Sequence, residues 1–411
     1  MMSIDWLKVH RLEKEVAPQL QAIDELVERN QEKVLTAFHD AAIAETHLLG
    51  STGYGFDDRG REQLDEVFAR AFGAQQALVR PTFVSGTHAL AVSLFALLRP
   101  GDNLLYATGM PYDTLRPVIG LQGANQGSLC DYGVSFDYVD LTEQGTLQIE
   151  AILEHLLPVT KVVAIQRSAG YAWRRALTIA EISEAIAAIK SVRKDIFVLV
   201  DNCYGEFTEL SEPSDVGADL TVGSLIKNPG GGLAPTGGYI VGTEAAVTQA
   251  AYRLTAPGIG SHSGSYENYR LFYQGLFLAP HVVGQALKGN VFSAKALTEA
   301  GYTCEPSVQD THGDIVLRVR LGRAERLIAF CQAIQRYSPI DAHVLPEPWQ
   351  MPGYSDEVIM ASGAFISGSS IELSADGPLR EPYIAYLQGG LTYEHVKIAV
   401  TQAIEEMNRR C

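Results

Sequence analysis

Lysine is sparse in the middle of this chain: between Lys33 and Lys288 only Lys161, Lys190, Lys194 and Lys227 occur. Lys161 opens an apolar run, and Lys190 and Lys194 sit at the polar end of a helical pattern. Only Lys227 follows an apolar run, Leu-Thr-Val-Gly-Ser (220–224), and precedes a glycine-rich turn, Asn-Pro-Gly-Gly-Gly (228–232). An amine shielded from water and set beside a cation loses proton affinity. As a free amine it can form a Schiff base with an aldehyde. Asp201 ends the run Ile-Phe-Val-Leu-Val-Asp, 26 residues before Lys227. A carboxylate at the tip of an apolar strand is costly unless it is paired. A protonated pyridine nitrogen would pair with it and, kept cationic, would accept the electrons of a carbanion. A helix cap or a metal ligand is the alternative reading of Asp201.

Two upstream segments supply what a phosphorylated aromatic aldehyde would still need. Val84-Ser85-Gly86-Thr87-His88 lies between a strand and a helix. Small residues let a ligand approach the backbone, and a helix N-terminus offers unpaired N–H groups to a phosphate. Plain N-capping would read the same. Met110-Pro111-Tyr112-Asp113-Thr114 follows another apolar run and offers Tyr112 as a stacking ring with a reactive hydroxyl. Ser224, three residues before Lys227, could donate to the same phosphate. Read together, these residues point to pyridoxal 5'-phosphate (PLP) held on Lys227.

Such residues need strand ends to bring them together, and the pattern supplies them. Seven short apolar runs begin near residues 77, 103, 134, 161, 196, 220 and 237, with helical patterns such as 87–98 and 179–190 between them. Apolar strands alternating with helices predict an α/β fold with a mostly parallel sheet covered on both faces. Ligands in such sheets bind at the carboxyl ends of the strands. Residues 1–58 read as a helical arm and a glycine-rich loop, 59–290 as the large domain, and 291–411 as a smaller α+β domain. Pro18 predicts a break in the arm, whose helical stretch is either a surface helix of the main domain or an arm for a second subunit.

The chain has 411 residues, 46% of them hydrophobic and 19% charged, which suits two globular domains. A net charge of −16 argues against a nucleic-acid surface. Five scattered cysteines argue against a disulfide framework or a cysteine zinc site. The ten histidines show no metalloprotease spacing, and neither a P-loop nor a Gly-x-Gly-x-x-Gly follows the first strand. With no apolar leader and no run of about 18 apolar residues, a cytoplasmic, membrane-free enzyme is expected.

The chain resembles fold-type I PLP enzymes of the cystathionine β-lyase / methionine γ-lyase group, and within it the bacterial branch called aluminium resistance protein. The motifs that carry the likeness are GYGFDDRGR (53–61), SGTHA (85–89), IQRSAGY (165–171), VDNCYGEF (200–207), GSLIKNPGGGLAPTGGYIVG (223–242), RLTAPGIG (253–260) and SADGPLREPYIAYLQGGLTY (374–393). The resemblance implies that Lys227 carries the cofactor, Asp201 meets the pyridinium, and Ser85, Gly86, Thr87 and Ser224 cradle the phosphate. It places Tyr112 on the ring and near the leaving group. Cys203 stands where the lyases usually have Ser or Thr. Tyr54, with Arg59 or Arg61, would reach a neighbouring subunit's phosphate. Arg380, with Arg174 as its competitor, would bind the substrate carboxylate bidentately.

The function expected from the resemblance is a carbon–sulfur lyase. Lys227 removes the α-proton of a sulfur-containing amino acid, and β- or γ-elimination follows. A PLP aminotransferase and a PLP-binding stress protein without turnover are the alternatives. A homo-oligomer, dimer or tetramer, with sites shared between subunits is implied as well.

Overall fold

The computed structural model describes residues 4–123, 126–351, 354 and 356–410. Seven strands form the large sheet: β1 (Gln76–Arg80), β2 (Asn103–Tyr106), β3 (Ser135–Tyr138), β4 (Thr160–Gln166), β5 (Phe197–Asp201), β6 (Leu220–Ser224) and β7 (Gly238–Gly242). Their spatial order is β1-β7-β6-β5-β4-β2-β3. All seven apolar runs of the sequence are therefore strands. The pairs from β6 through β3 are parallel, and β7 runs antiparallel to both β6 and β1. In β4, β5, β6 and β7 nearly every residue is buried, as two helical layers require. One apolar layer packs the helix Gly86–Leu97 against β6 and β7, and another packs the helix Ile179–Val192 against β4 and β5.

A second sheet of five antiparallel strands follows. It comprises β8 (Thr303–Glu305), β9 (Val316–Arg320), β10 (Val358–Ala361), β11 (Ser374–Pro378) and β12 (Ile384–Gln388), in the order β10-β11-β12-β9-β8. The helices Ala324–Arg336 and Tyr393–Arg410 cover one of its faces. The helix Arg270–Glu299 joins the two units. Its residues Phe272 to Leu287 belong to the core of the large sheet and Phe292 to Leu297 to that of the small one. The change of core near residue 290 thus falls inside a continuous helix rather than in a linker.

The N-terminal segment is two helices, Trp6–Glu15 and Ala17–Asp40, with Pro18 in the first turn of the second, where its missing N–H leaves no gap. These helices pack on their own chain. Val9 and Leu12 are buried in the small-domain core, and Lys397, Lys295 and Arg11 pair with Glu13, Glu15 and Glu299. Among the described residues no helix is long and apolar enough to cross a membrane.

Candidate active site

The carboxyl ends of β4, β5 and β6 open into a cavity of about 570 Å³, which the small sheet closes from the far side. That is a usual size for a cofactor pocket. Asp201, Cys203, Ser224, Lys227, Ser85, Gly86, Thr87 and Tyr112 all line it. Fold and register explain the convergence. Gln166, Asp201 and Val222 are paired in adjacent parallel strands, so their chain continuations emerge side by side.

Asp201 is buried, and its Oδ1 accepts the backbone N–H of Cys203 at 3.1 Å. The Cys203 backbone supplies this bond, and its thiol hydrogen-bonds the same carboxylate. Burial raises the Asp201 carboxyl above its ordinary range, and the Lys227 charge pulls it part of the way back. The Lys227 ammonium lies 3.7 Å from the ring centre of Tyr204, a cation–π contact. Burial lowers its proton affinity, but the acids around it, Cys203, Tyr204 and Asp201, raise it by more, so the net direction is upward. The expected fall in proton affinity is thus not a property of the protein's own groups. It needs a positive charge brought against Asp201.

Ser85 caps the helix Gly86–Leu97, its Oγ accepting the N–H of His88 at 3.1 Å. Capping and ligand approach coexist here, because Gly86 and Thr87, whose N–H groups a helix start leaves unpaired, line the cavity. Gly86 sits close against its neighbours. A Cβ there would lie 3.3 Å from Ser224 Cβ and 3.4 Å from Cys203 Sγ. Glycine keeps open a cradle in which the helix start, Ser224 and Cys203 meet. Thr87 Oγ1 lies 3.0 Å from Tyr112 Oη and 3.3 Å from Thr114 Oγ1. Burial, and then the Asp201 charge, raises the Tyr112 hydroxyl well above its ordinary value, so it keeps its proton.

The arginines separate by environment. Arg61 is buried and donates to the carbonyls of Gly55 at 2.5 Å, Gly264 at 2.7 Å and His262 at 3.3 Å. It ties two loops together, with its Nε left without a partner among the described residues, whereas Arg59, two residues earlier, is exposed. Arg174 donates four times to backbone carbonyls, of Gln166, Arg167, Ser168 and Arg175, and does not line the cavity. Burial lowers its pKa to about 10. Arg380 stands at the cavity rim, half exposed, paired with Asp356 at 3.0 Å. Tyr54 is 76% exposed and stacks on the exposed Phe56 at 5.5 Å. The structure does not bring either residue to the cavity of its own chain.

Several cavity residues were not expected from the sequence. Gln166, at the tip of β4, accepts the Tyr112 N–H at 3.2 Å and donates to Ser168 O at 2.9 Å, which fixes the tyrosine loop on the sheet. Tyr204 adopts φ +71°, a left-handed conformation strained for a tyrosine. Asp376, Tyr386 and Gln388 come from the small sheet, and Tyr171 packs on Tyr386 with ring centres 4.9 Å apart. Burial raises the Asp376 carboxyl to about 7, with the Tyr171 hydroxyl and the Lys227 charge opposing the rise. An acid at the end of an apolar run signalled Asp201, but Asp376 lies in a Gly/Pro-rich strand where no such signal exists.

A buried amine beside a carboxylate, a glycine cradle at a helix start and a protonated tyrosine at parallel strand ends fit pyridoxal phosphate, and they mark a PLP-dependent lyase of fold type I. The fold alone is shared with the PLP-dependent protein YhfS of Escherichia coli (TM-score 0.62, 18% identity, 93% of this chain and 97% of that one). The chain belongs to the methionine gamma-lyase family, whose model matches residues 7–408. It is 51% identical to the uncharacterized protein YnbB of Bacillus subtilis over 97% of this chain and 95% of that one. A solved carbon-sulfur lyase involved in aluminum resistance, from Clostridium novyi, is 49% identical with a TM-score of 0.93, covering 97% and 94% of the two chains.

Proposed function

We propose that this enzyme cleaves a carbon–sulfur bond in a sulfur-containing amino acid by α-proton removal followed by β- or γ-elimination. One observation carries the reading: a buried amine, Lys227, and a hydroxyl that keeps its proton, Tyr112, share one cavity. The first can take a proton from the α-carbon, and the second can return one to a departing sulfur. Bound PLP supplies the electron sink that makes the α-proton removable.

Each residue then has a defined task. Asp201 would hold the ring nitrogen of bound PLP and offset its positive charge. The helix start at Gly86 and Thr87, with Ser224, would hold the phosphate, and Ser85 keeps that helix start in place by capping it. Cys203 holds Asp201 through its backbone N–H. Arg380 binds the substrate carboxylate from the rim, while Arg174 maintains the loop beneath it. Lys227 Nζ carries the α-proton, and Tyr112 Oη hands its own proton to the sulfur as the C–S bond breaks. An enamine remains and hydrolyses to a keto acid and ammonia.

The active form is a homo-oligomer in the cytoplasm whose sites are shared between subunits. The loop at Tyr54, Phe56 and Arg59, exposed on the single chain, supports this reading. Sedimentation finding a monomer with full turnover would overturn it.

A panel of methionine, cystathionine, homocysteine and cysteine tests the reaction. Keto acid and ammonia released without an added acceptor support the lyase. A strict need for a keto-acid acceptor would make the enzyme an aminotransferase, and no turnover with PLP bound would leave a binding protein. Borohydride reduction and peptide mapping should place the cofactor on Lys227, and label on another lysine would sink that assignment.

A further inference from the structure

The small-sheet wall of the cavity carries polar atoms that nothing in the reaction above uses. Ser374 Oγ, Asp376 Oδ1 and Gln388 Nε2 are buried and have no hydrogen-bond partner among the described residues. The antiparallel register sets Ser374 opposite Gln388 and Asp376 opposite Tyr386. Cross-strand partners point to the same face, so the four side chains form one patch. Asp376, Tyr386 and Gln388 of that patch line the cavity. The rings of Tyr354 and Tyr386 lie 5.7 Å and 4.9 Å from that of Tyr171, whose hydroxyl bonds the Asp376 carboxyl.

Buried donors and acceptors left unpaired are destabilising, so a cluster of them facing a cavity asks for a ligand that pairs them. The open atom of Asp376 accepts. The aromatic faces around it favour a cation. The open atom of Gln388 donates, and would take an acceptor beside that cation.

We propose that this patch is a subsite for the far end of the substrate, and that it selects a thioether amino acid whose side chain ends in an ammonium over one that ends in an alkyl group. The proposal rests on the lyase reading for the word substrate, but its test does not require turnover.

S-(2-aminoethyl)-L-cysteine and S-propyl-L-cysteine have the same length and differ in that terminal group. Their dissociation constants for the PLP-loaded enzyme are measured from the change in cofactor absorbance within milliseconds of mixing. The ammonium compound should bind at least about tenfold tighter, and Asp376→Asn should reduce that ratio to below about threefold. Equal binding by the wild-type enzyme, or a preference that survives Asp376→Asn, overturns the proposal. If the variant does not fold, the wild-type ratio alone decides. Product release in the same samples is read separately: tight ammonium binding without any keto acid keeps the subsite and removes the lyase.

Discussion

The cavity wall built by β5 and β6 holds Asp201, Ser224 and Lys227 at the ends of parallel strands, whereas the facing wall holds Asp376, Tyr386 and Gln388 along antiparallel β11 and β12. On the first wall the charged groups answer one another, with Lys227 against Asp201 and Tyr204, and Asp201 on the Cys203 N–H. On the second, Asp376 and Gln388 each keep an atom without a partner among the described residues. A wall whose groups are mutually satisfied suits one fixed occupant, the cofactor. A wall with open donors and acceptors suits a group that comes and goes. The difference assigns chemistry to the first wall and selection to the second.

The largest effect should come from the first wall. Lys227→Ala removes the base and the covalent anchor together, and should lower kcat by on the order of 10²–10⁴-fold. Steady-state keto-acid release measures the loss, and borohydride should leave no label on the peptide. Asp376→Asn should act on KM far more than on kcat. If it lowers kcat as much as Lys227→Ala does, the division between the walls fails.

Buried arginines outside the cavity should affect stability instead. Arg61→Met leaves the carbonyls of Gly55, Gly264 and His262 without their donor. The loss should be about 3 kcal/mol, read from the midpoint of urea unfolding. Turnover per folded, PLP-loaded molecule should change little, and a large fall in it would return Arg61 to the site.

The same contrast separates what was legible in the sequence from what was not. The inner strands of the large sheet were legible because both faces are buried, which makes them apolar runs such as Phe197–Asp201, while the edge strand β3 is mostly exposed and was read from its alternating Phe136 and Tyr138. Asp201 and Lys227 stood out against those runs. The small sheet has no such contrast: β11 reads Ser-Ala-Asp-Gly-Pro, and its burial comes from the chain packed around it. Asp376 therefore could not be told from a turn residue. Arginine roles were illegible for another reason. Arg61, Arg174 and Arg380 have the same chemistry, and only tertiary contacts decide which of them points at carbonyls and which at a rim.

Burial of acids on both walls gives a pH signature. Asp376 is raised from 3.8 to about 7, and Glu206, beneath the Lys227 wall with Tyr239 Oη donating to it at 2.7 Å, from 4.5 to about 8. Burial is the main cause in both. Between about pH 4.5 and 7 the folded protein therefore holds protons that the unfolded chain releases, so stability falls as pH rises through that window. Each group contributes at most about 1.4 kcal/mol per pH unit. Asp376→Asn and Glu206→Gln should each flatten the fall in urea midpoint between about pH 5 and 7. Parallel wild-type and variant profiles would show that the group ionises freely in the fold.

The smallest expected effect separates the two candidate carboxylate clamps. Arg380 is half exposed and its pair with Asp356 is screened by water, so Arg380→Ala should cost under about 1 kcal/mol of stability. At the rim its guanidinium has donors to offer a substrate carboxylate, and their loss should raise KM about tenfold with little change in kcat, as expected for binding that is equal in ground and transition states. Arg174→Ala should give the reverse pattern, because its four bonds go to the carbonyls of Gln166, Arg167, Ser168 and Arg175. Those bonds hold the loop that also carries Tyr171, so its removal should lower the unfolding midpoint first. If Arg174→Ala raises KM more than Arg380→Ala while the midpoints stay equal, the clamp is Arg174, and its carbonyl contacts must break when substrate binds.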